Sequence, residues 1–259
     1  MTSTLEHLKK HTIIVADTGD FNSIKKYLPV DSTTNPSLIL SACKLPQYSH
    51  LLDSAFQYAK QHKQTLHEQI ELALERIFVL FGCEILKVVP GRVSTEAIAC
   101  AEANVTLISP FVGRVLDWYV AKYGKKEYTR HDDPGVKLVT HIYNYYKVHG
   151  YKTQIMGASF RNVEQILGLV GCDLLTIAPS LLEELSKMHE EPNLCLSVEK
   201  AQTSHEHLPT LNKPLTEEEF RWQMNEDEMA CEKLADGIRR FAKDAMLLED
   251  LIKTHIQHQ

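Results

Sequence analysis

The chain has 259 residues, 44% of them hydrophobic and 24% charged, a make-up that buries a sizeable core and fits one domain spanning 1–259. A net charge of −6 argues against nucleic acid as a partner, because a phosphate-backbone face needs a basic excess. The six cysteines, Cys43, Cys83, Cys100, Cys172, Cys195 and Cys231, form no CxxC pair and no zinc spacing. They read mostly as small core residues in a reducing compartment. The opening MTSTLEHLKK has no signal-like apolar stretch, and no run approaches a membrane span. A cytoplasmic location without a membrane partner is expected.

Thr12–Ala16 is a β-branched run closed by Asp17, Thr18 and Gly19, the pattern of a buried strand and a turn. Ile24–Leu28 reads as a short helix and Val30–Thr34 as a second strand. Pro36 suits a first helical turn. Helices are expected near Pro36–Gln61 and Leu66–Phe81, the latter with an apolar stripe of Leu66, Ile70, Leu74, Ile77 and Leu80. Gly91–Thr95 and Val105–Phe111 are further strand candidates. Asp132–Asp133–Pro134 opens a helix within His131–His149. Thr153–Ala158 and Leu174–Ala178 are two more strands, and alternation of strands with helices predicts parallel βα units. Glu190–Pro214 is the most loop-like stretch. Thr216 to His255 reads as mainly helix, with a capping box at Thr216 and Glu219. Its apolar stripe is Leu234, Ile238, Phe241, Ala245, Leu248 and Ile252.

One connection is too short. Only AIACAEAN separates Glu96 from Val105, whereas a parallel crossover takes roughly a dozen residues or more. Eight helical residues span about 12 Å and leave nothing for two turns. Either residues are missing at Glu96–Ala97, or one flanking run is not a strand.

If the strands are parallel, their C-terminal ends bring Asp17, Asn35, Glu96, Ser109 with Arg114, and Ser159 with Arg161 to one face. Carboxylates suit proton transfer. Asn and Ser suit hydroxyl recognition, and two guanidinium groups suit a phosphate. Together they describe a site for a phosphorylated sugar. Each residue also has a plainer role open to it. Asp17 and Asn35 suit turns or caps, the arginines suit surface ion pairs, and Glu96 suits a first helical turn. His131, His141 and His149 lack ligand spacing, and no metal site is expected.

Six segments carry a resemblance: VADTGDF (Val15–Phe21), DSTTNPSLIL (Asp31–Leu40), VPGRVSTE (Val89–Glu96), LISPFVGR (Leu107–Arg114), GASFRN (Gly157–Asn162) and LLTIAPSLL (Leu174–Leu182). In this order they resemble the matching segments of transaldolases, over nearly the whole chain. The resemblance implies a (β/α)8 barrel of the class I aldolase type with C-terminal helices. It also implies transfer of a dihydroxyacetone unit in the non-oxidative pentose phosphate pathway. Sedoheptulose 7-phosphate and glyceraldehyde 3-phosphate exchange there with erythrose 4-phosphate and fructose 6-phosphate. No metal or organic cofactor is implied. A lysine forms a Schiff base with the ketose, and the iminium serves as electron sink.

By the same resemblance, Asp17 matches the acid/base of carbon–carbon cleavage and Glu96 the acid/base that works through a water. Asn35 matches a hydrogen-bonding partner of the dihydroxyacetone unit, and Ser109 and Phe111 match pocket positions. Arg114, Ser159 and Arg161 match the phosphate-holding positions. The family pattern continues from VSTE into a strand of the form IKIAST bearing the lysine, then a strand of the form TLLFS, before CAEA. This chain runs from VSTE straight to AIACAEA. Two βα units are therefore expected to be missing, on the order of 60–70 residues at ~30 each. About six strands remain, and none ends in a lysine, since Lys87 and Lys152 precede their strands. An incomplete barrel without transaldolase turnover is expected. The strands flanking the join should be unpaired edges. The partners to expect are sugar phosphates, and a homodimer or a pairing with full-length transaldolase.

Overall fold

Ile13–Asp17 (β1) forms a strand because its β-branched residues fit a pleated, half-buried surface; Ile14, Val15 and Ala16 are buried. In the computed structural model, which describes residues 2–86, 93–95, 106–124, 126–204 and 216–257, β1 follows a short helix, Thr4–Leu8 (α1). Then come Phe21–Ile24 (α2), Asp31–Thr34 (β2) and Pro36–Cys43 (α3). Ser49–His62 (α4), Leu66–Leu86 (α5) and Val93–Thr95 (β3) follow. After the join come Leu107–Ile108 (β4), Val112–Tyr123 (α6), Pro134–Val148 (α7), Gln154–Gly157 (β5) and Val163–Leu167 (α8). Leu174–Ile177 (β6), Pro179–Lys187 (α9), Val198–Thr203 (α10), Glu217–Glu226 (α11) and Glu228–Gln257 (α12) complete the chain.

Several expectations are corrected. The helix expected at Ile24–Leu28 ends at Ile24. The long helix expected over Pro36–Gln61 is broken by Pro46, which opens a 3₁₀ turn at Pro46–Tyr48 before α4. The expected strand Val105–Phe111 is ordered as a strand only at Leu107–Ile108, with a bridge from Phe111 to Ala158. The chain then turns into α6, which the sequence reading leaves out. Helix α10 lies within the stretch read as loop. The buried face of α5 is Ala73, Ile77 and Phe81, while Leu66 is exposed. Along α12, Leu248 and Ile252 are buried but Leu234 and Ile238 are exposed, so only the C-terminal half of the stripe packs. Cys43 and Cys172 are buried, whereas Cys83 and Cys231 are exposed; Cys100 lies outside the described residues.

The chain divides into two compact units, one of Met1–Val15 with Ala97–Ala235 and one of Ala16–Glu96 with Asp236–Gln259. In the first, β1 is followed in hydrogen-bonded order by β6, β5 and β4. β5 pairs parallel with β6 through Met156 and Leu174, and β4 pairs parallel with β5 through Leu107 and Gln154. Val15, Met156 and Leu174 form a core cluster with Leu107 packed on it. In the second unit the order is β1, β2, β3, and β2 pairs parallel with β3 from Ser32–Val93 to Thr34–Thr95. Among the described residues β3 has β2 as its one neighbour and β4 has β5. The two strands that flank the Glu96–Ala97 join are thus each a sheet edge among the described residues.

Candidate functional site

The second unit carries Asp17 and Asn35. Asp17 ends β1, and Thr33 on β2 donates its hydroxyl to Asp17 Oδ1 at 3.1 Å. The neighbouring strand keeps this register because Thr18 N–H donates to the Thr33 carbonyl (3.1 Å) and the Ser32 hydroxyl to the Ala16 carbonyl (2.9 Å). Burial pushes the Asp17 carboxyl up to about 6, against the smaller opposing effect of the Thr33 bond. A carboxyl with that pKa exchanges a proton near neutrality.

Gly19 lets the turn after β1 approach α3. A Cβ there would lie 2.8 Å from the Leu38 carbonyl oxygen. Asn35 caps α3, its Oδ1 accepting from Leu38 N–H at 3.0 Å. The Asn35 side chain is buried, and its NH₂ has no partner among the described residues. The plainer role is therefore real, since Asn35 is a cap, and it still leaves donors available to a ligand. In the same unit Tyr48, tilted against Phe21 (centroids 4.5 Å apart) and edge-to-face with Phe81 (5.5 Å), donates to Asp20 and accepts from Asn22 N–H. Glu96 lies outside the described residues.

The first unit carries Ser109, Phe111, Arg114, Ser159 and Arg161. The Pro110–Gly113 and Ala158–Ser159 segments are laced by backbone bonds: Ala158 N–H to Pro110 O at 3.1 Å, Val112 N–H to Ala158 O at 2.9 Å and Gly113 N–H to Ser159 O at 3.0 Å. Gly113 makes this approach possible, because a Cβ would stand 2.2 Å from the Ser159 carbonyl oxygen. The Ser109 hydroxyl donates to the Met156 carbonyl at 3.2 Å, across the β4–β5 pair. Arg114 stacks its guanidinium over the Phe111 ring, 4.6 Å from the centroid. Ser159 adopts φ +61°, an uncommon conformation for a residue with a side chain.

Arg161 is held from three sides. Its Nη1 donates to the carbonyl and the hydroxyl oxygen of Ser159, at 3.0 and 3.3 Å. Its Nε and Nη2 grip both oxygens of Asp117 at 3.2 and 2.7 Å. Its backbone N–H donates to Gln165 Oε1 at 2.8 Å. Gln165 is 1% exposed and passes its amide to Asp133 Oδ2 at 2.9 Å, while Asp133 caps α7. The structure thus brings Ser159 and Arg161 into contact, sets Arg114 on Phe111, and adds Asp117, Gln165 and Thr33, none of which sequence reasoning singles out. Asp117 follows Arg114 by three positions, a helical spacing that α6 would have revealed.

Parallel strands alternating with helices define an α/β protein. Comparison with known proteins narrows this. The family model described as Transaldolase/Fructose-6-phosphate aldolase matches residues 14–99 and 95–252, two segments that meet at the join. A transaldolase of Rattus norvegicus is 46% identical over 320 aligned positions, covering 97% of this chain and 94% of the rat protein. The Bos taurus transaldolase is 45% identical over 98% of the chain and 94% of its own length. Transaldolase A of Pasteurella multocida is 44% identical over 98% of the chain and 99% of its own length. The chain belongs to the transaldolase/fructose-6-phosphate aldolase family. Because the 320 aligned positions exceed its 259 residues, roughly sixty or more of them face no residue of this chain.

Proposed function

We propose that this chain is a non-catalytic transaldolase: it binds a sugar phosphate through Arg114, Ser159 and Arg161 but cannot form the Schiff base of its relatives. The supporting observation is the sequence at the strand ends. β1 to β6 are followed or closed by Asp17, Asn35, Glu96, Ser109, Ala158–Ser159 and Ala178, with no lysine among them. The double family match abutting at residues 95–99 supports a loss at that point of the segment in which the family carries its amine. Lys152 is exposed before β5, and Lys87 lies outside the described residues.

Without an amine no iminium forms, so the electrons released by carbon–carbon cleavage have no sink. Asp17, the proton acceptor in that step, then has no carbanion-forming reaction to serve, and Glu96 has no imine to build or hydrolyse. Asn35 and Ser109 keep their places as hydroxyl-recognising groups, Phe111 as a wall of the pocket, and the arginines as the phosphate grip. The ligand class is the sugar phosphate exchanged by the pentose phosphate enzymes, and the location is cytoplasmic. No described helix is long and apolar enough to cross a membrane.

A second reading rests on the edge strands. β3 and β4 each offer an unpaired backbone edge among the described residues, which suits pairing with a full-length transaldolase subunit or with a second copy. Coupled turnover of fructose 6-phosphate with erythrose 4-phosphate on the purified chain tests the first reading. Its expected rate is that of the protein-free control, and a rate like that of a full-length relative overturns the reading.

A further inference from the structure

Arg161 is placed to take a phosphate, yet most of its hydrogen-bonding capacity is already engaged. A guanidinium has five N–H donors. One on Nε and one on Nη2 go to Asp117, and Nη1 serves the two oxygens of Ser159. That leaves one N–H, on Nη2, on the same guanidinium whose Nη1 meets the Ser159 hydroxyl; the hydroxyl's own proton has no acceptor among the described residues. The Asp117 and Arg161 side chains are 44% and 41% exposed. Ion pairs this open contribute little to folding. Their bidentate geometry, by contrast, fixes the plane and rotation of the guanidinium.

The rest of the surroundings points the same way. The Arg161 backbone is tied through the buried Gln165 to the carboxylate of Asp133, which also accepts from Gly135 and Val136 N–H at 2.8 and 3.1 Å. The stem of Arg161 runs over Gly113, where an added Cβ would lie 2.8 Å from Arg161 Cγ. Backbone and stem are therefore fixed, and the remaining freedom is rotation of the long side chain about its outer bonds. Asp117 removes that freedom.

We propose that Asp117 is a positioning residue: from the first turns of α6 it clamps the outer edge of Arg161, so that Nη2–H and the Ser159 hydroxyl are presented together to a phosphate oxygen. This rests on the reading of Arg161 and Ser159 as phosphate-holding residues. Asp117 itself donates nothing to the ligand, and its negative charge opposes an anion. Its contribution is the order it imposes on Arg161 before binding, which lowers the entropy lost when the ligand arrives.

Calorimetric titration of the full chain with fructose 6-phosphate, and separately with inorganic phosphate, tests this. Arg161→Ala should abolish binding of both. Asp117→Ala should weaken both about tenfold, the low end of the loss seen when the outer partner of a metal-binding side chain is removed. Asp117→Glu should restore most of the affinity, and the urea midpoint of all three variants should match that of the parent. A merely structural aspartate would shift the midpoint instead. Equal or tighter binding by Asp117→Ala, with Arg161→Ala still inert, shows charge repulsion to dominate and overturns the positioning role alone. If Arg161→Ala binds as the parent does, or the parent binds neither probe, the phosphate-holding reading falls and the inference with it.

Discussion

Asp17 is the carboxyl whose chemistry burial raises most clearly among the described residues. Burial holds its carboxyl up at about 6 while the unfolded chain titrates it near 3.8. Between those two values the folded protein binds the proton more tightly than the unfolded one. The stability from this group is therefore complete below pH 3.8 and is lost as pH rises through about 6. Above that the buried carboxylate costs about 3 kcal/mol. Asp17→Asn, which keeps an acceptor for Thr33, should raise unfolding free energy by about that amount at pH 7.5 and by little at pH 4. Urea melts of both proteins at the two pH values measure it, and an effect independent of pH contradicts the assignment. Asn35 differs in kind, because its carbonyl caps α3 at no conflict with the amide that faces away.

The sharpest contrast between elements lies in two glycines. Gly113 brings the start of α6 against the turn after β5, where a methyl would overlap the Ser159 carbonyl oxygen. Gly82 stands in α5 with nothing within 4 Å of its absent Cβ. Gly113→Ala should destabilise by about 3 kcal/mol, the upper end of an overpacking cost. Gly82→Ala should stabilise by about 0.5–1 kcal/mol through lost backbone entropy in the unfolded chain. Thermal unfolding of the pair separates a structural need for glycine from mere tolerance of it, and equal shifts would show the close approach to be absent. The same region marks the limit of what the sequence discloses. The strands were legible because β-branched runs end in turn residues, and Thr216 and Glu219 do form the capping box, with bonds of 2.9 and 3.2 Å. α6 was not, although Val112, Val115 and Trp118 are buried at helical spacing. A strand read through to Phe111 consumed its first turn. With the helix unseen, Asp117 had no reason to face Arg161, so the phosphate grip was legible as two arginines and not as a clamped pair.

At the scale of the whole chain, six strands are present among the described residues, and both strands beside the Glu96–Ala97 join are sheet edges among them. The short connection AIACAEAN left two readings open, missing residues at Glu96–Ala97 or a flanking run that is not a strand. Both runs carry a strand, and 320 aligned positions against 259 residues accord with the first reading. The proposed loss of a lysine is legible only in the family pattern, since an absent residue leaves no record in the chain. Asp17 and Asn35 lie in one compact unit and Ser109, Phe111, Arg114, Ser159 and Arg161 in the other, with local hydrogen bonds at Asp17, Asn35, Ser109 and the Ser159–Arg161 pair. On the proposed reading, binding chemistry that depends on local geometry is kept, and covalent chemistry that depends on one missing residue is not. The most direct test is borohydride reduction of the chain in the presence of fructose 6-phosphate, followed by intact-mass and peptide mass spectrometry, with a full-length relative as control. The expected result is a reduced adduct on the relative and none on this chain. A stoichiometric adduct on any lysine of this chain would contradict the account.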